Sequence, residues 1–600
     1  MYISEIKIKN FRKFNNENFF FKKGLNVLVG ENNCGKTTII DAIRFILDTN
    51  YFVKIEDTDF NDKEKELQIT LKFEDLTDEE QTAFLEFLTF EKVENENKIF
   101  LYLSLISKLD RSYRLLRRIK AGKDAENEMD IEVRNLIYMA YFKPLRDAET
   151  ELSPGRYSRL SKILQQVETE GKENDIIKIK EALDKFHHEV KEQNVIKNNN
   201  DDISNYLKKM LLYPEKDNIK TEIELASDGD ENEVFKKITE KLGLDFKNAP
   251  KQGLGYYNLL YMAVELILLK HGEISSFLLI EEPEAHLHPQ LQYNLLRFIN
   301  DELNIDNKKT QIFLSTHSPN LSSKVNVEDI ILFYGNKLYS LKKEFTKASE
   351  DDYIFLSKFL DVTKANLFYS RGLIFVEGFS EEILIPAFAK AMGYDLEEYG
   401  VSVINLNNTG FKRFTNFFIQ KDEAENLKCR IPIKISCIRD LDYFHNGTKE
   451  TVTNKEGKKE IKKIKIIPYS KEDIEGYEKF IDKRYKELKK GIETEDNYIK
   501  VFISDYRTLE VDLLNYCFKP ILKILKEMHS NAEIYQTGEL NNTDIPKIYH
   551  KIVSNKDKSE LAYKLSLKIL KYLKNPEIKE KIKGKIPPYI KNAIKHVIGK

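Results

Sequence analysis

Glycine, lysine and threonine occur near the start of this chain at a spacing that suits phosphate. Gly30-Glu31-Asn32-Asn33-Cys34-Gly35-Lys36-Thr37 fits the pattern GxxxxGK[ST]. An apolar run over residues 24–30 precedes it, and a helical pattern through Ile39, Ile40, Ala42, Ile43 and Ile46 follows. Glycines let such a loop curl until its backbone N–H groups face phosphate oxygens, and the helix start adds the positive end of its dipole. Lys36 then reaches the β- and γ-phosphates of ATP, and the Thr37 hydroxyl ligates magnesium. Gly30, Asn32, Asn33, Gly35 and Thr38 complete the expected contact with ATP. Downstream, the apolar run Phe277-Leu278-Leu279-Ile280 ends in Glu281 and Glu282. The first acid suits magnesium and the second suits the attacking water. Ser315-Thr316-His317-Ser318 follows another apolar run, where His317 can meet the γ-phosphate.

A second group of acids lies in the C-terminal half. Ile374-Phe375-Val376-Glu377-Gly378 ends an apolar run in a glutamate, and Glu381 stands one helical turn further on, able to point the same way. Asp440-Leu441-Asp442 follows the apolar stretch 433–438, where alternate residues share a face. Thr508-Leu509-Glu510-Val511-Asp512 follows a third such stretch at 500–504. Acids behind parallel strands sit at the ligand edge of an open α/β sheet. Several carboxylates in one place repel unless a hard cation neutralises them, so magnesium or manganese is the natural occupant. In a chain with 98 acidic residues a lone acidic pair is ordinary surface. The ordered series behind successive strands is what carries information.

The elements that must position these groups alternate in two series. Strands are expected at 2–9, 24–30, 67–74 and 98–106, with a turn from Phe11 to Phe14. Helices at 256–269 and 291–302 alternate with strands at 276–281, 311–315 and 329–334, a rhythm that implies a largely parallel sheet. A second series runs through strand 372–376, helix 380–392, strand 401–406, helix 411–420, and strands 433–438 and 500–504. The expected organisation is an ATPase domain over 1–149 and 246–345, interrupted at 150–245 by a charged helical insertion suited to dimerisation. A linker at 346–370 leads to a second α/β domain at 371–600, with a lysine- and glutamate-rich insertion at 444–495.

Composition narrows the classes. The chain is 41% hydrophobic and 32% charged, and no run of about 18 apolar residues suggests a membrane span. The N-terminus has no signal-peptide pattern. Four scattered cysteines suit a reduced, cytoplasmic protein, and His286 and His288 lack further zinc ligands at suitable spacing. With a net charge of −2, binding to nucleic acid requires local basic patches. The lysines from Lys571 to Lys595 form one such bias, although bare charge runs fit a solvated lysine-rich surface better than a binding patch.

The turn Asn10-Phe11-Arg12-Lys13-Phe14, GENNCGKTT, LLIEEPEAHLHPQ and STHSP together resemble the ABC-type ATPases of DNA repair and chromosome maintenance. That resemblance makes Glu281 the magnesium-side acid, Glu282 the catalytic acid and His317 the switch histidine. Glu281 stands where many relatives carry aspartate. Gln252-Gly253-Leu254-Gly255 occupies the place of the serine-glycine signature without its usual form. VEGFSEEILIP, the Asp440–Asp442 pair and RTLEVDLL resemble a Toprim domain, and the combination resembles the overcoming-lysogenization-defect (OLD) family of nucleases.

The family resemblance implies a two-metal centre that cuts double-stranded DNA. Glu377 and Glu381 would match one metal-binding pair, Asp440 and Asp442 the second, and Glu510 the later acid, with Asp512 as its alternative. A functional lysine would be Lys558. It further implies nucleotide-regulated cleavage in defence against phage or foreign DNA, a homodimer or higher oligomer, and a helicase-like or other defence partner. The other reading is a DNA-associated ATPase scaffold whose Toprim domain does not cut. A topoisomerase or primase fits less well, since no active-site tyrosine context or zinc-ribbon pattern is present.

Overall fold

Alternation along YISEIKIKNF buries Ile3, Ile6 and Ile8 completely while Lys9 faces water, the signature of a strand with one wet face. In the computed structural model this strand, β1 (Tyr2–Phe11), pairs antiparallel with β2 (Phe14–Phe20) and β4 (Leu67–Glu74). The description covers residues 1–31, 34–48, 55–93, 96–109, 115–142, 185, 189, 192–211, 220–225, 242–247, 262, 275–285, 287–305, 310–407, 410–421, 431–442, 445–453, 459–466, 478–516, 519–528, 544–554 and 558–600. They divide into two compact units, Met1–Ser340 and Leu341–Lys600. Among them no helix is long and apolar enough to cross a membrane.

The first unit has two large sheets. The antiparallel one runs β2-β1-β4-β6-β7-β8, with β5 also on β6; here β3 is Leu25–Gly30, β5 Leu88–Val93, β6 Glu96–Leu109, β7 Leu115–Ala121 and β8 Asn127–Glu128. The other contains β3, β9 (Ile137–Phe142), β12 (Ser275–Glu281), β13 (Gln311–Thr316), β14 (Ile330–Tyr334) and β15 (Lys337–Ser340), in the order β15-β14-β3-β13-β12-β9. Every pair in it is parallel except β14–β15. β3 and β13 are buried at every position, as central parallel strands covered on both faces must be. Helix α1 (Lys36–Leu47) packs against this sheet through Ile39, Ile40, Ile43 and Ile46.

Only part of the expected insertion at 150–245 is described. Helix α2 (Asn194–Met210) packs on α3 (Pro289–Ile305), with Tyr206 edge-on to Phe298 at 5.3 Å. The segment expected to be helical contains the antiparallel pair β10 (Lys220–Leu225) and β11 (Leu242–Lys247), whose alternating apolar residues form runs too short to outweigh the charged helical pattern before them. The helix expected at 256–269 and the Gln252–Gly255 stretch lie outside the described residues, apart from Met262.

The second unit is a four-stranded parallel sheet with order β17-β16-β18-β21. Its strands are β16 (Gly372–Val376), β17 (Val401–Asn405), β18 (Lys434–Arg439) and β21 (Ile499–Ile503). Residues 346–370, expected as a connector, carry helices α4 (Glu350–Phe359) and α5 (Val362–Ala365) and belong to this unit. α6 (Phe379–Met392) packs on α10 (Lys558–Tyr572) around Leu384, Phe388, Leu561 and Leu565. The helix expected at 411–420 is shorter, α7 (Phe411–Asn416). The expected charged insertion contains the hairpin β19 (His445–Thr453) and β20 (Lys459–Ile466), then α8 (Glu478–Lys489). A further helix, α9 (Leu509–Asn515), follows β21.

Gln311, fully buried at the start of β13, ties the two sheets of the first unit together. Its carboxamide accepts from the Ile3 N–H at 2.7 Å and donates to the carbonyls of Ile3 and Lys22 at 2.9 Å each. Gln311→Leu leaves these backbone groups unpaired inside the protein. It should cost roughly 2–4 kcal/mol, read as an earlier thermal transition of the first unit. An unchanged transition would show that water replaces the side chain.

Candidate functional site

The parallel sheet of the first unit brings the nucleotide motifs to one edge. β3 ends at Gly30, while Glu281 of β12 is in register with Ser315 of β13, next to β3. Gly35 has φ +112°, and a Cβ there would lie 2.6 Å from Lys13 Cε and 2.8 Å from the Phe14 ring, so only glycine fits the turn. Lys36 is buried, and its ammonium donates to the Gly30 and Glu31 carbonyls at 2.8 Å each. Burial lowers its pKa. Thr37 is exposed and Thr38 buried; Asn32 and Asn33 lie outside the described residues.

Around Lys36 stand two acids, Glu282 and Glu284, and a histidine. His317 Nδ1 is 3.4 Å from Lys36 Nζ and its Nε2 is 3.3 Å from Glu282 Oε1. Because the ammonium only donates, Nδ1 accepts and the ring proton is assigned to Nε2, facing Glu282. Burial, then Lys36, lowers the His317 pKa and keeps the ring neutral. Glu282 has φ +42°, a left-handed conformation costing of order 1–3 kcal/mol in a residue with a side chain. Glu284, which sequence reading passed over, accepts from Thr316 Oγ1 at 2.9 Å and from the His317 N–H at 2.6 Å. It fixes the backbone that carries the histidine.

Glu281 is nearly inaccessible. Its Oε2 accepts from Tyr141 at 2.9 Å, and its Oε1 is buried without a hydrogen-bond partner among the described residues. An orphaned carboxylate oxygen beside a phosphate loop fits a metal-bound water or the cation itself. Burial, then Asp41, raises its pKa to about 7. Behind it, Arg44 lies 3.4 Å from the centre of the Tyr141 ring and pairs with Asp41, which Arg12 also holds at 2.8 Å. Arg12 thereby links the Asn10–Phe14 turn to α1.

In the second unit, β16 and β18 are neighbours with Phe375 beside Cys437, so Glu377 and Asp440 emerge side by side. Glu377, Asp440 and Asp442 offer oxygens that all lie within 4.8 Å of one another, a donor set suited to a hard divalent cation. Arg439 donates to Glu377 at 3.1 Å. Burial raises the pKa of Glu377. Burial and then Glu510 push Glu381 to about 7, and burial, then Glu381, raises Asp440 strongly. Glu510 accepts from Ser380 at 3.1 Å, from Thr508 at 2.9 Å and from Lys558 at 3.1 Å. Burial opposes the Lys558 charge, but Glu510, Tyr549 and Asp440 outweigh it and raise its pKa. Asp512 differs: both oxygens accept backbone N–H groups, from Asp505 at 2.8 Å and Tyr506 at 2.9 Å, so it shapes the loop after β21.

Two outcomes follow from these environments. A Glu281 carboxyl with a pKa near 7 is protonated below that pH, so magnesium-dependent ATP binding should weaken as pH falls from about 7 and level off above it. Tyr141→Phe removes a bond to the charged form and should move the bend upward; a titration of fluorescent ATP analogue in both proteins reads it. In metal-free protein, Asp440→Asn relieves repulsion and should raise the thermal transition of the second unit. The same variant should lose the stabilisation that added magnesium or manganese gives the parent, by mass action. An equal metal-induced shift in both proteins would contradict the ligand set.

Two family models match the chain. The AAA ATPase domain matches residues 1–248 and 91–321, and the Overcoming lysogenization defect protein-like, TOPRIM domain matches residues 368–442. Endonuclease GajA of Bacillus cereus (strain HuB5-5) is 24% identical, over 95% of this chain and 96% of its own length. The same-named protein of Bacillus cereus (strain VD045) is 25% identical, over 89% and 92%. The structure of the recombination mediator protein RecF-ATP in the RecFOR pathway is 17% identical, covers 56% of this chain and 97% of that one, and gives a TM-score of 0.35. The chain belongs to the AAA ATPase domain family, which its first 321 residues match, and carries an OLD-like TOPRIM domain behind it.

Proposed function

We propose that this protein is an ATP-binding, divalent-metal-dependent DNA endonuclease whose cutting is regulated by nucleotide. The observation that carries the reading is the convergence of Glu377, Asp440 and Asp442 in a domain of the TOPRIM class. Near full-length similarity to Endonuclease GajA supports it. Glu377, Asp440 and Asp442, with Glu381 and Glu510 behind them, would hold magnesium or manganese. Such ions stabilise the attacking and leaving oxygens of a phosphodiester. Lys558 keeps its proton against Glu510 and supplies positive charge beside the acids. Arg439 orients Glu377 from the other side.

In the first unit, Lys36 exchanges its two carbonyl partners for phosphate oxygens when ATP enters. Glu281 takes the magnesium side, and Glu282, oriented by the neutral His317, faces the attacking water. Double-stranded DNA as substrate, assembly as a homodimer or larger oligomer, a helicase-like or other partner, and a role against phage or foreign DNA complete the proposal.

Plasmid incubated with magnesium or manganese, with and without ATP, tests it. The parent should nick or linearise DNA, and Asp440→Asn should lose at least about 100-fold of the rate while still binding ATP. Lys36→Ala should abolish ATP binding and the effect of ATP on cutting. Intact plasmid under every divalent metal would leave the ATPase scaffold as the function.

A further inference from the structure

We propose that a basic cleft beside Arg439 grips the sugar–phosphate backbone of duplex DNA next to the acid cluster. This rests on the nuclease reading for the fate of the strand but not for its binding. The cleft has a volume of about 780 Å³ and lies between α7, the start of α4 and the end of α8. Five cationic side chains line it, those of Lys347, Lys412, Arg413, Arg439 and Lys490, against the acids Asp352 and Glu487.

The acids are already engaged. Asp352 accepts from the Ser349 N–H at 3.0 Å and from Asn416 at 3.1 Å, with Arg413 at 3.8 Å, while Glu487 pairs with Arg484 at 3.8 Å. Lys347, Lys412 and Lys490 are exposed and have no ion-pair partner among the described residues. The cleft therefore carries uncompensated positive charge on a concave surface, which concentrates a polyanion better than a convex lysine face does.

Position selects the anion. Arg439 lines the cleft and also donates to Glu377 at 3.1 Å, so one side chain forms the wall shared by the cleft and the acid cluster. A backbone lying in the cleft would carry its next phosphate toward Glu377, Asp440 and Asp442. One cation has a braced stem: at Gly491, with φ +75°, a Cβ would stand 3.1 Å from Lys412 Cε, so the bare backbone lets that chain lie flat against it. Lysines meet phosphates as point charges and read no base edges, so this grip is indifferent to sequence.

Anisotropy of a short fluorescent duplex in EDTA, where nothing is cut, tests the cleft. Lys412→Glu combined with Lys490→Glu should weaken binding at least about tenfold and flatten the slope of log affinity against log salt by about two. Lys581→Glu with Lys585→Glu, an equal charge change at exposed positions of the helix Pro576–Lys585 near the C-terminus, should alter neither. Unchanged affinity and slope in the cleft variant, or an equal loss in the C-terminal one, would overturn the proposal. A parent that binds through the cleft yet leaves plasmid whole in every metal would sink the nuclease reading alone.

Discussion

Like charges crowded where water is scarce cannot all ionise, and this repulsion organises the second unit. Burial raises the proton affinity of Glu381 and Asp440 most, and the charges of Glu377, Glu381 and Glu510 on their neighbours add to the effect. Left alone, such a cluster would take up protons or push its strands apart. The fold answers with fixed positive charge, Arg439 on Glu377 and Lys558 on Glu510, and with hydroxyl donors from Ser380 and Thr508. Among the described residues no ion pair holds Asp440 or Asp442, and the Lys558 charge offsets that of Asp440 only in part. The oxygens of Glu377, Asp440 and Asp442 are close enough to share one hard cation, which would offset their charge.

Much of the framework was legible because apolar periodicity survives in strands that are buried. β3, β12, β13, β16 and β18 stand within a residue or two of their expected positions, and their order brings the phosphate loop, Glu281 and His317 to one edge. The same logic fails where charge dominates. β10 and β11 sit in a stretch rich in acids and lysines, where the alternation of Ile223 with Leu225, and of Leu242, Leu244 and Phe246, is too short to stand out. The hairpin β19–β20 has the same character.

Within the candidate sites, the acids were visible but their division of labour was not. Glu510 and Asp512 are two residues apart at the start of α9, and residues at that spacing face nearly opposite sides of a helix. One turns to Ser380 and Lys558, while the other is consumed by the N–H groups of Asp505 and Tyr506. Sequence spacing could not say which. Glu284 and Arg439 were passed over for a different reason: each acts on a neighbouring site residue, and nothing in the one-dimensional pattern distinguishes that from surface charge. Their only signal was proximity, Glu284 three residues after Glu281 and Arg439 directly before Asp440.

The buried Lys36 and the half-buried Lys558 show how environment separates roles that residue type leaves identical. Lys36 has carbonyl oxygens as its nearest partners, and burial lowers its pKa because dipoles compensate a desolvated charge only in part. An arriving phosphate would reverse that deficit, so the binding energy of the anion is largely reserved for the moment of binding. Lys558 already faces Glu510 at 3.1 Å, and Glu510, Tyr549 and Asp440 outweigh burial to raise its pKa. It has little to gain from a further anion and much to lose if Glu510 moves. Lys36 is thus built as a receptor for charge that comes and goes, whereas Lys558 is a permanent counter-charge that lets the acid cluster exist.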